Sequence, residues 1–317
     1  MIDLHCDTLS VLYENKNQKS KKNDLGVDLF KLKKSGSVAE FFACFVNMAK
    51  FKGAKVHEEG FLYALKLIEF AKDEFEKEDF EISLALCYKD YLKNKKSKKI
   101  SAFLTVEEGG IIGNDISKLE KLYKEGVRLL TICWNYENSI GFPNSKNREI
   151  MQKGLKKLGF EVVEKMNDIG MIIDISHLSD GGFFDVISYS KKPVIASHSC
   201  ARSLCNHPRN LTDEMIKLLA EKCGICGVNF YPFFLHENGD ANVESLVEHI
   251  KYMINVGGED FVALGSDFDG FSPPLKDLEN IAKTEVLFEK LKRNGISERQ
   301  LEKLKITNAE RIIKEIL

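Results

Sequence analysis

The chain has 317 residues, 44% hydrophobic and 30% charged, with 46 Lys+Arg against 48 Asp+Glu and a net charge of −2. That balance excludes a disordered chain, a collagen-like repeat and a small disulfide scaffold. It also leaves no bulk electrostatic footprint for nucleic acid or anionic lipid.

No apolar run approaches the roughly 20 residues that a membrane-spanning helix needs. The N-terminal Met1-Ile2-Asp3-Leu4-His5-Cys6-Asp7 carries acidic residues where a signal peptide has basic ones, and no apolar stretch follows. The expected compartment is the cytoplasm, where the eight cysteines serve as small apolar residues.

Along the chain, short apolar runs alternate with helical patterns. Strands are expected at Ile2–Asp7, Glu40–Val46, Ala102–Glu107, Leu129–Trp134, Met171–Ser176, Pro193–His198, Ile225–Phe230 and Val262–Asp267, with a weaker ninth at Ile82–Leu86. Most are bare apolar runs, as for strands buried on both faces of a parallel sheet. The polar stretch from Asn15 to Asn23 reads as a surface loop. The six lysines between Lys89 and Lys99 read as a solvated helix end or loop. Met151, Leu155, Leu158, Val162, Val163 and Met166 recur at helical spacing, as do Val243, Leu246, Val247, Ile250, Met253 and Ile254; Thr212 is placed to cap a helix. No linker divides the sequence. Eight strands alternating with helices predict one domain over 1–317, a (β/α)8 TIM-type barrel. An open doubly wound sheet is the alternative, but no G-x-G-x-x-G follows the first strand.

Function in such a barrel sits at the C-terminal ends of the strands. The first strand ends in His5-Cys6-Asp7, the third in Glu107-Glu108 and the sixth in His198; the fifth runs into His177, and the eighth ends in Asp267-Phe268-Asp269. Alternation along a strand puts His5 and Asp7 on one face and Cys6 on the other. Three of the seven histidines thus end separate strands, beside carboxylates. Imidazole and carboxylate suit Zn²⁺, or Mn²⁺ or Fe²⁺ under other supply. Three His, an Asp and a Glu exceed what one catalytic zinc with an open position takes; they suit two ions sharing a carboxylate. The charge agrees. Two ions bring about +4, Asp7 and Glu107 about −2, a bridging hydroxide about −1, and Asp267 brings the cluster near neutrality.

Other candidates read more plainly. His249 is expected to pack in a helix, and His57 and His236 to be solvated. His207 lies close in sequence to Arg209, as a loop residue or part of the site lining. Cys223-Gly224-Ile225-Cys226 is read as structural, Asp269 as a turn residue, and Asp174 as a buried carboxylate that orients a ligand histidine.

The sequence resembles the membrane (renal) dipeptidase family of metal barrels. The matching segments include Asp3-Leu4-His5-Cys6-Asp7-Thr8-Leu9, Val106-Glu107-Glu108-Gly109-Gly110, Ile173-Asp174-Ile175-Ser176-His177, Pro193-Val194-Ile195-Ala196-Ser197-His198, Arg209-Asn210 and Gly265-Ser266-Asp267-Phe268-Asp269-Gly270. They keep the family's order across nearly the whole chain. The resemblance implies a dipeptidase with two zinc ions. His5 and Asp7 would hold one ion, His177 and His198 the other, and Glu107 would bridge them. Asp267 would hydrogen-bond the bridging water and move its proton, leaving a metal-bridging hydroxide. Arg209, with Asn210 beside it, would bind the substrate carboxylate.

Two places blur the pattern. The family has a single Glu before its glycine pair, so Glu108 competes with Glu107; spacing to Gly126-Val127-Arg128 favours Glu107. Where the family commonly has a His after the fourth strand, this chain has Trp134, which can only donate through its indole N–H. Trp134 therefore enters the expected substrate-binding set. It leaves open another small amide, a lactam or an acyl-amino acid as substrate, and a non-catalytic metal-binding member is the remaining reading. The expected partner is a small dipeptide, with neither nucleic acid nor membrane, and a homodimer is possible.

Overall fold

The computed structural model describes residues 1–15 and 18–317. Of the expected surface loop from Asn15 to Asn23, residues 16 and 17 lie outside the described residues. The described residues form nine parallel strands: β1 (Ile2–Cys6), β2 (Ala39–Phe45), β3 (Ile82–Leu84), β4 (Ile100–Glu107), β5 (Val127–Thr131), β6 (Ile172–Asp174), β7 (Ile195–Ser199), β8 (Ile225–Val228) and β9 (Val262–Leu264). The sheet runs β2-β1-β9-β8-β7-β6-β5-β4, and pairing of β2 with β4 closes it into an eight-stranded barrel. The ninth strand, β3, lies outside this ring. It pairs with the first half of β4, from Ile82↔Ile100 to Leu84↔Ala102, and β5 pairs with the second half, ending at Glu107↔Thr131.

Alternation sorts the side chains. Ile2, Leu4, Ala39, Phe41, Phe103, Leu129, Ile172, Ile195, Ile225 and Ala263 form one buried cluster inside the barrel, where Phe41 and Phe103 stack 4.7 Å apart. Ala309, Ile312 and Ile313 of the C-terminal helix (Asn308–Ile316) join this cluster and close the base. Residues of the other parity, such as Phe42, Leu104, Val106, Leu130, Ile173 and Val228, pack outward against the helices.

Two strands break their register where histidines lie. Between Asp3 and Cys6, three steps along β1 face two along β2 (Glu40 to Phe42). Between Ala196 and Ser199, three steps along β7 face two along β8 (Cys226 to Val228). A bulge of this kind re-aims side chains and occurs often beside active sites. Here it turns His5 and His198 toward the barrel mouth while Cys6 still faces the wall. Inside the barrel β7, β8 and β9 crowd together, because a Cβ at Gly227 or Gly265 would overlap the Ser197 carbonyl oxygen.

Strands also stop earlier than their apolar runs. The Ser176 N–H goes to Asp174 Oδ1, and the Trp134 N–H to Glu108 Oε2, so neither continues a ladder. The helical run from Met151 to Met166 is divided into Arg148–Met151 and Lys157–Ile169, because the Leu155 N–H bonds Asp185 and no Cβ fits at Gly154. Thr212 caps Asp213–Glu221 through Met215 N–H at 3.2 Å. Within the lysine-rich stretch, Tyr88–Lys96 is helical, and Lys95 and Lys99 pair with Glu310 and Asp79.

Candidate metal centre and substrate cavity

Six of the expected residues meet at the mouth. His5 Nε2 lies 3.3 Å from Asp7 Oδ2, 3.6 Å from Glu107 Oε2 and 3.8 Å from Asp267 Oδ1. Glu107 Oε1 faces the other way, 2.9 Å from His177 Nε2 and 3.6 Å from His198 Nε2. One carboxylate therefore spans two groups. The ligand atoms of His5, Glu107 and His198 lie within 4.8 Å of one another, as do those of His5, Asp7 and Asp267.

The donor set fits cations. Both His5 ring nitrogens and Asp7 Oδ1 are buried without a hydrogen-bond partner among the described residues. The two Nε2 atoms of His177 and His198 face each other at 3.0 Å. Burial, with Arg209 nearby, brings His177 down to about 4, and burial beside His5 holds His198 well below the usual imidazole value, which favours the neutral form that binds metals. Burial alone would raise Glu107, but His5 and His177 hold it below the usual carboxylate range. Burial pushes Asp267 up to about 8; His5 opposes the rise, and Asp7 and Glu107 add to it. Three carboxylates converging in a dry pocket ask for positive charge in their midst.

The braces behind these side chains are specific. Asp174 accepts Ser176 and Ser197 through Oδ1, and Thr131 Oγ1 and Ser197 Oγ (both 2.7 Å) through Oδ2. The Ser197 hydroxyl is therefore spent as a donor and accepts the Nδ1–H of His198 at 2.7 Å, leaving Nε2 for the site. Asp174 thus orients His198 as expected, through Ser197. On the other side, Asn135 Oδ1 lies 3.1 Å from His177 Nδ1.

The ends of β1 and β9 are stitched together. Asp267 N–H donates to the His5 carbonyl (3.0 Å), and Asp7 N–H to the Phe268 carbonyl (2.8 Å). Asp267 (φ 61°) and Asp269 (φ 70°) both take the left-handed conformation, at roughly 1–2 kcal/mol each. Asn229 Nδ2 holds Asp267 Oδ2 at 2.9 Å, while Asp269 accepts from Gly26 N–H (2.7 Å) and the Thr8 hydroxyl. Asp269 is the turn residue expected. A Cβ at Gly270 would overlap the Asp267 and Asp7 carboxylates, so this glycine lets the loop press on the site.

Geometry separates Glu107 from Glu108. Glu108 has φ 117° and turns its carboxylate to Gly110 N–H (2.5 Å), Asn138 Nδ2 (2.8 Å) and Trp134 N–H (3.3 Å). It fastens loops behind the site, and burial pushes it up to about 7.

Above the cluster opens a cavity of about 490 Å³, within the usual range for small-molecule sites. Asp7, Glu107, His177, Asp267, Trp134, Asn135 and Arg209 line it, with Phe45, Phe51, Tyr63, Tyr231 and Phe234 as apolar walls. The Arg209 guanidinium is buried. Its Nη2 donates to the His198 carbonyl (3.2 Å) and Nη1 to Ser199 Oγ (3.4 Å), and it lies 5.2 Å over the Phe234 ring; Nε has no partner among the described residues. Trp134 packs edge-on to Phe45 at 4.7 Å and to Tyr136 at 5.6 Å.

Asn210 is not in this wall. It is fully buried, and its Nδ2 donates to the carbonyls of Cys205 and Phe234, so it braces loops instead of meeting substrate. His57 is half-buried, with Nδ1 2.7 Å from the Gly110 carbonyl, not solvated as expected. His236 is exposed, and His249 is buried against Leu235 and Ala201. His207 sits 4.7 Å from the Phe234 ring and lines a neighbouring cavity. Cys226 is buried in β8 and Cys223 exposed before it, both as free thiols. Sequence reasoning assigned no role to Ser197, Asn229 or Asn135. Ser197 adjoins His198, while Asn135 and Asn229 lie between aromatic or apolar residues, and only the fold pairs them with the site.

A closed parallel barrel with imidazoles and carboxylates gathered at its mouth has the architecture of a metal-dependent hydrolase. The family model for membrane dipeptidases (peptidase family M19) matches residues 1–317, and the chain belongs to that family. It is a metal-dependent dipeptidase, cleaving the amide bond of small dipeptides.

An uncharacterized protein in the pqqA 5′ region of Klebsiella pneumoniae is 33% identical over 245 residues, covering 74% of this chain and 89% of that one. Dipeptidase tcpJ of Claviceps purpurea is 30% identical over 295 residues, covering 92% and 69%. Among solved structures, the dipeptidase AC, a metallo peptidase of family M19, superposes with a TM-score of 0.90 at 25% identity, covering 99% of this chain and 98% of that one. A metallo peptidase from Rhodobacter sphaeroides, liganded with a phosphinate mimic of the dipeptide L-Ala-D-Ala, shares the fold with a TM-score of 0.89 at 23% identity, covering 100% and 99%.

Proposed function

We propose that this dipeptidase works with two divalent ions, zinc by the chemistry of the donors, held by His5, Asp7, Glu107, His177 and His198. The observation that carries this reading is the division of Glu107, with Oε2 toward His5 and Oε1 toward His177 and His198. Ions bound there supply a polarised carbonyl and a water made nucleophilic near neutral pH.

The protein's residues do the rest. Arg209, buried with Nε unpaired, fixes the substrate carboxylate through its planar fork. That anchor holds the scissile amide over the cluster. Asp267, its carboxylate held by Asn229 and facing His5, takes the proton of the attacking water and delivers it to the leaving amine. Trp134 and Phe45 form a dry wall beside the reacting bond. The free thiols of all eight cysteines support a reducing compartment, the cytoplasm, and no helix of the described residues is long and apolar enough to cross a membrane.

Metal content measured alongside turnover of L-L and L-D dipeptides tests the reading. Turnover that rises with bound metal and disappears on chelation is expected; hydrolysis by metal-free protein would overturn it.

A further inference from the structure

We propose that Asn135 is a catalytic residue whose side-chain N–H holds the oxyanion formed from the scissile carbonyl. The inference rests on the dipeptidase reading above and adds a residue that no motif pointed to.

His177 Nε2 faces the ligand cluster, 2.9 Å from Glu107 Oε1 and 3.0 Å from His198 Nε2. A ligand nitrogen offers its lone pair, so the ring proton must sit on Nδ1. That proton points at Asn135 at 3.1 Å, and the group receiving it must be the carbonyl oxygen of the amide. The orientation of the amide is then fixed. Its oxygen is tied to His177, and its NH₂ is left with no protein acceptor among the described residues. Asn135 is exposed to the cavity and lines it beside Trp134, Arg209 and Asp267.

Such a group is a preorganised donor. It is pinned at one end by a ligand side chain and offers N–H at the other. Two charged donors of the wall are taken up otherwise: Arg209 serves the substrate carboxylate, and Lys50 pairs with Glu14 at the rim.

In the reaction, the water oxygen bonds to the carbonyl carbon, and the C=O π pair moves onto the carbonyl oxygen, where Asn135 Nδ2 donates to it. The water proton passes to Asp267. The π bond then re-forms, the C–N bond breaks and Asp267 protonates the amine. One dipeptide and one water give two amino acids. Removing one donor of this kind costs about 10²–10³-fold in kcat.

Two variants separate this role from mere positioning of His177. Asn135→Asp keeps an acceptor for His177 but removes the N–H; Asn135→Leu removes both without adding charge. Both are measured at saturating metal for kcat, KM, metal content and affinity for a phosphinate dipeptide analogue. In N135D we expect wild-type metal content, KM within about threefold, and losses of about 10²–10³-fold in both kcat and phosphinate affinity. N135L should show the same losses and also hold metal about 10–100-fold more weakly. If the wild type turns over dipeptides while N135D or metal-saturated N135L matches it in kcat and phosphinate affinity, the oxyanion role is wrong and the dipeptidase reading stands. If the metal-loaded wild type cleaves no dipeptide, both fall together.

Discussion

The base and the mouth of the barrel are built by the same strands and have opposite chemistry. On β4, Phe103 faces inward at the base and Glu107, four residues on, faces inward at the mouth. On β1, Ile2 and Leu4 fill the interior, and past the bulge His5 turns to the site. The base is a packed apolar layer closed by the C-terminal helix. The mouth holds converging carboxylates, unpaired imidazole nitrogens and two left-handed aspartates. Within the barrel, apolar packing fills one end and converging polar groups the other. Changes at the mouth should therefore cost function first, and changes at the base should cost folding first.

The largest effect is expected from Glu107→Gln. It removes the charge shared between the two ligand groups, so metal and turnover should be lost together. Glu108→Gln, in the adjacent residue, should keep both, because its carboxylate is bound to loop N–H groups. The reverse pattern in metal analysis and assay would mean that the strand is read in the wrong register.

Asp267→Asn comes next. It should retain metal and lose about 10²–10⁴-fold in rate, the usual range for a general acid–base group. In metal-stripped protein the same change should raise the melting temperature, since it removes a carboxyl group whose charged form is disfavoured by burial first and by Asp7 and Glu107 in addition. A lowered melting temperature with a wild-type rate would make Asp267 a structural residue.

At the base, Phe41→Ala should destabilise the fold by roughly 3–5 kcal/mol in denaturant titrations. Metal content and kcat of the folded fraction should not move. A kcat loss at full folding would show that the two ends are coupled.

A smaller effect is expected from Arg209→Ala. Loss of a charged hydrogen bond worth about 1.5–3 kcal/mol should raise KM for dipeptides. Carboxylate-blocked analogues should be spared, and equal effects on both would remove the clamp.

The site was legible because ligand-type residues end apolar runs, and parallel strands place those ends on one rim. His5, Asp7, Glu107, His177, His198 and Asp267 could be picked out this way. The bulges in β1 and β7 could not. Two residues opposing one leave no trace in hydrophobic pattern, yet they decide where His5 and His198 point. Asn210 was misplaced because its neighbour Arg209 faces the cavity, while its own amide turns back to bind Cys205 and Phe234 carbonyls. The ninth strand was correctly weaker, since β3 is short and pairs only along half of β4. The helical run from Met151 to Met166 concealed its break. Spacing of apolar residues survives an interruption that Asp185 imposes from another element.

The proposed division of Glu107 between two ions can be read by titrating zinc into metal-stripped protein while dipeptide hydrolysis is followed at each addition. Two bound equivalents are expected in the wild type, with turnover completed by the second, and loss of both the second equivalent and turnover in Glu107→Gln. Full activity at a single equivalent, or unchanged stoichiometry in Glu107→Gln, would contradict it.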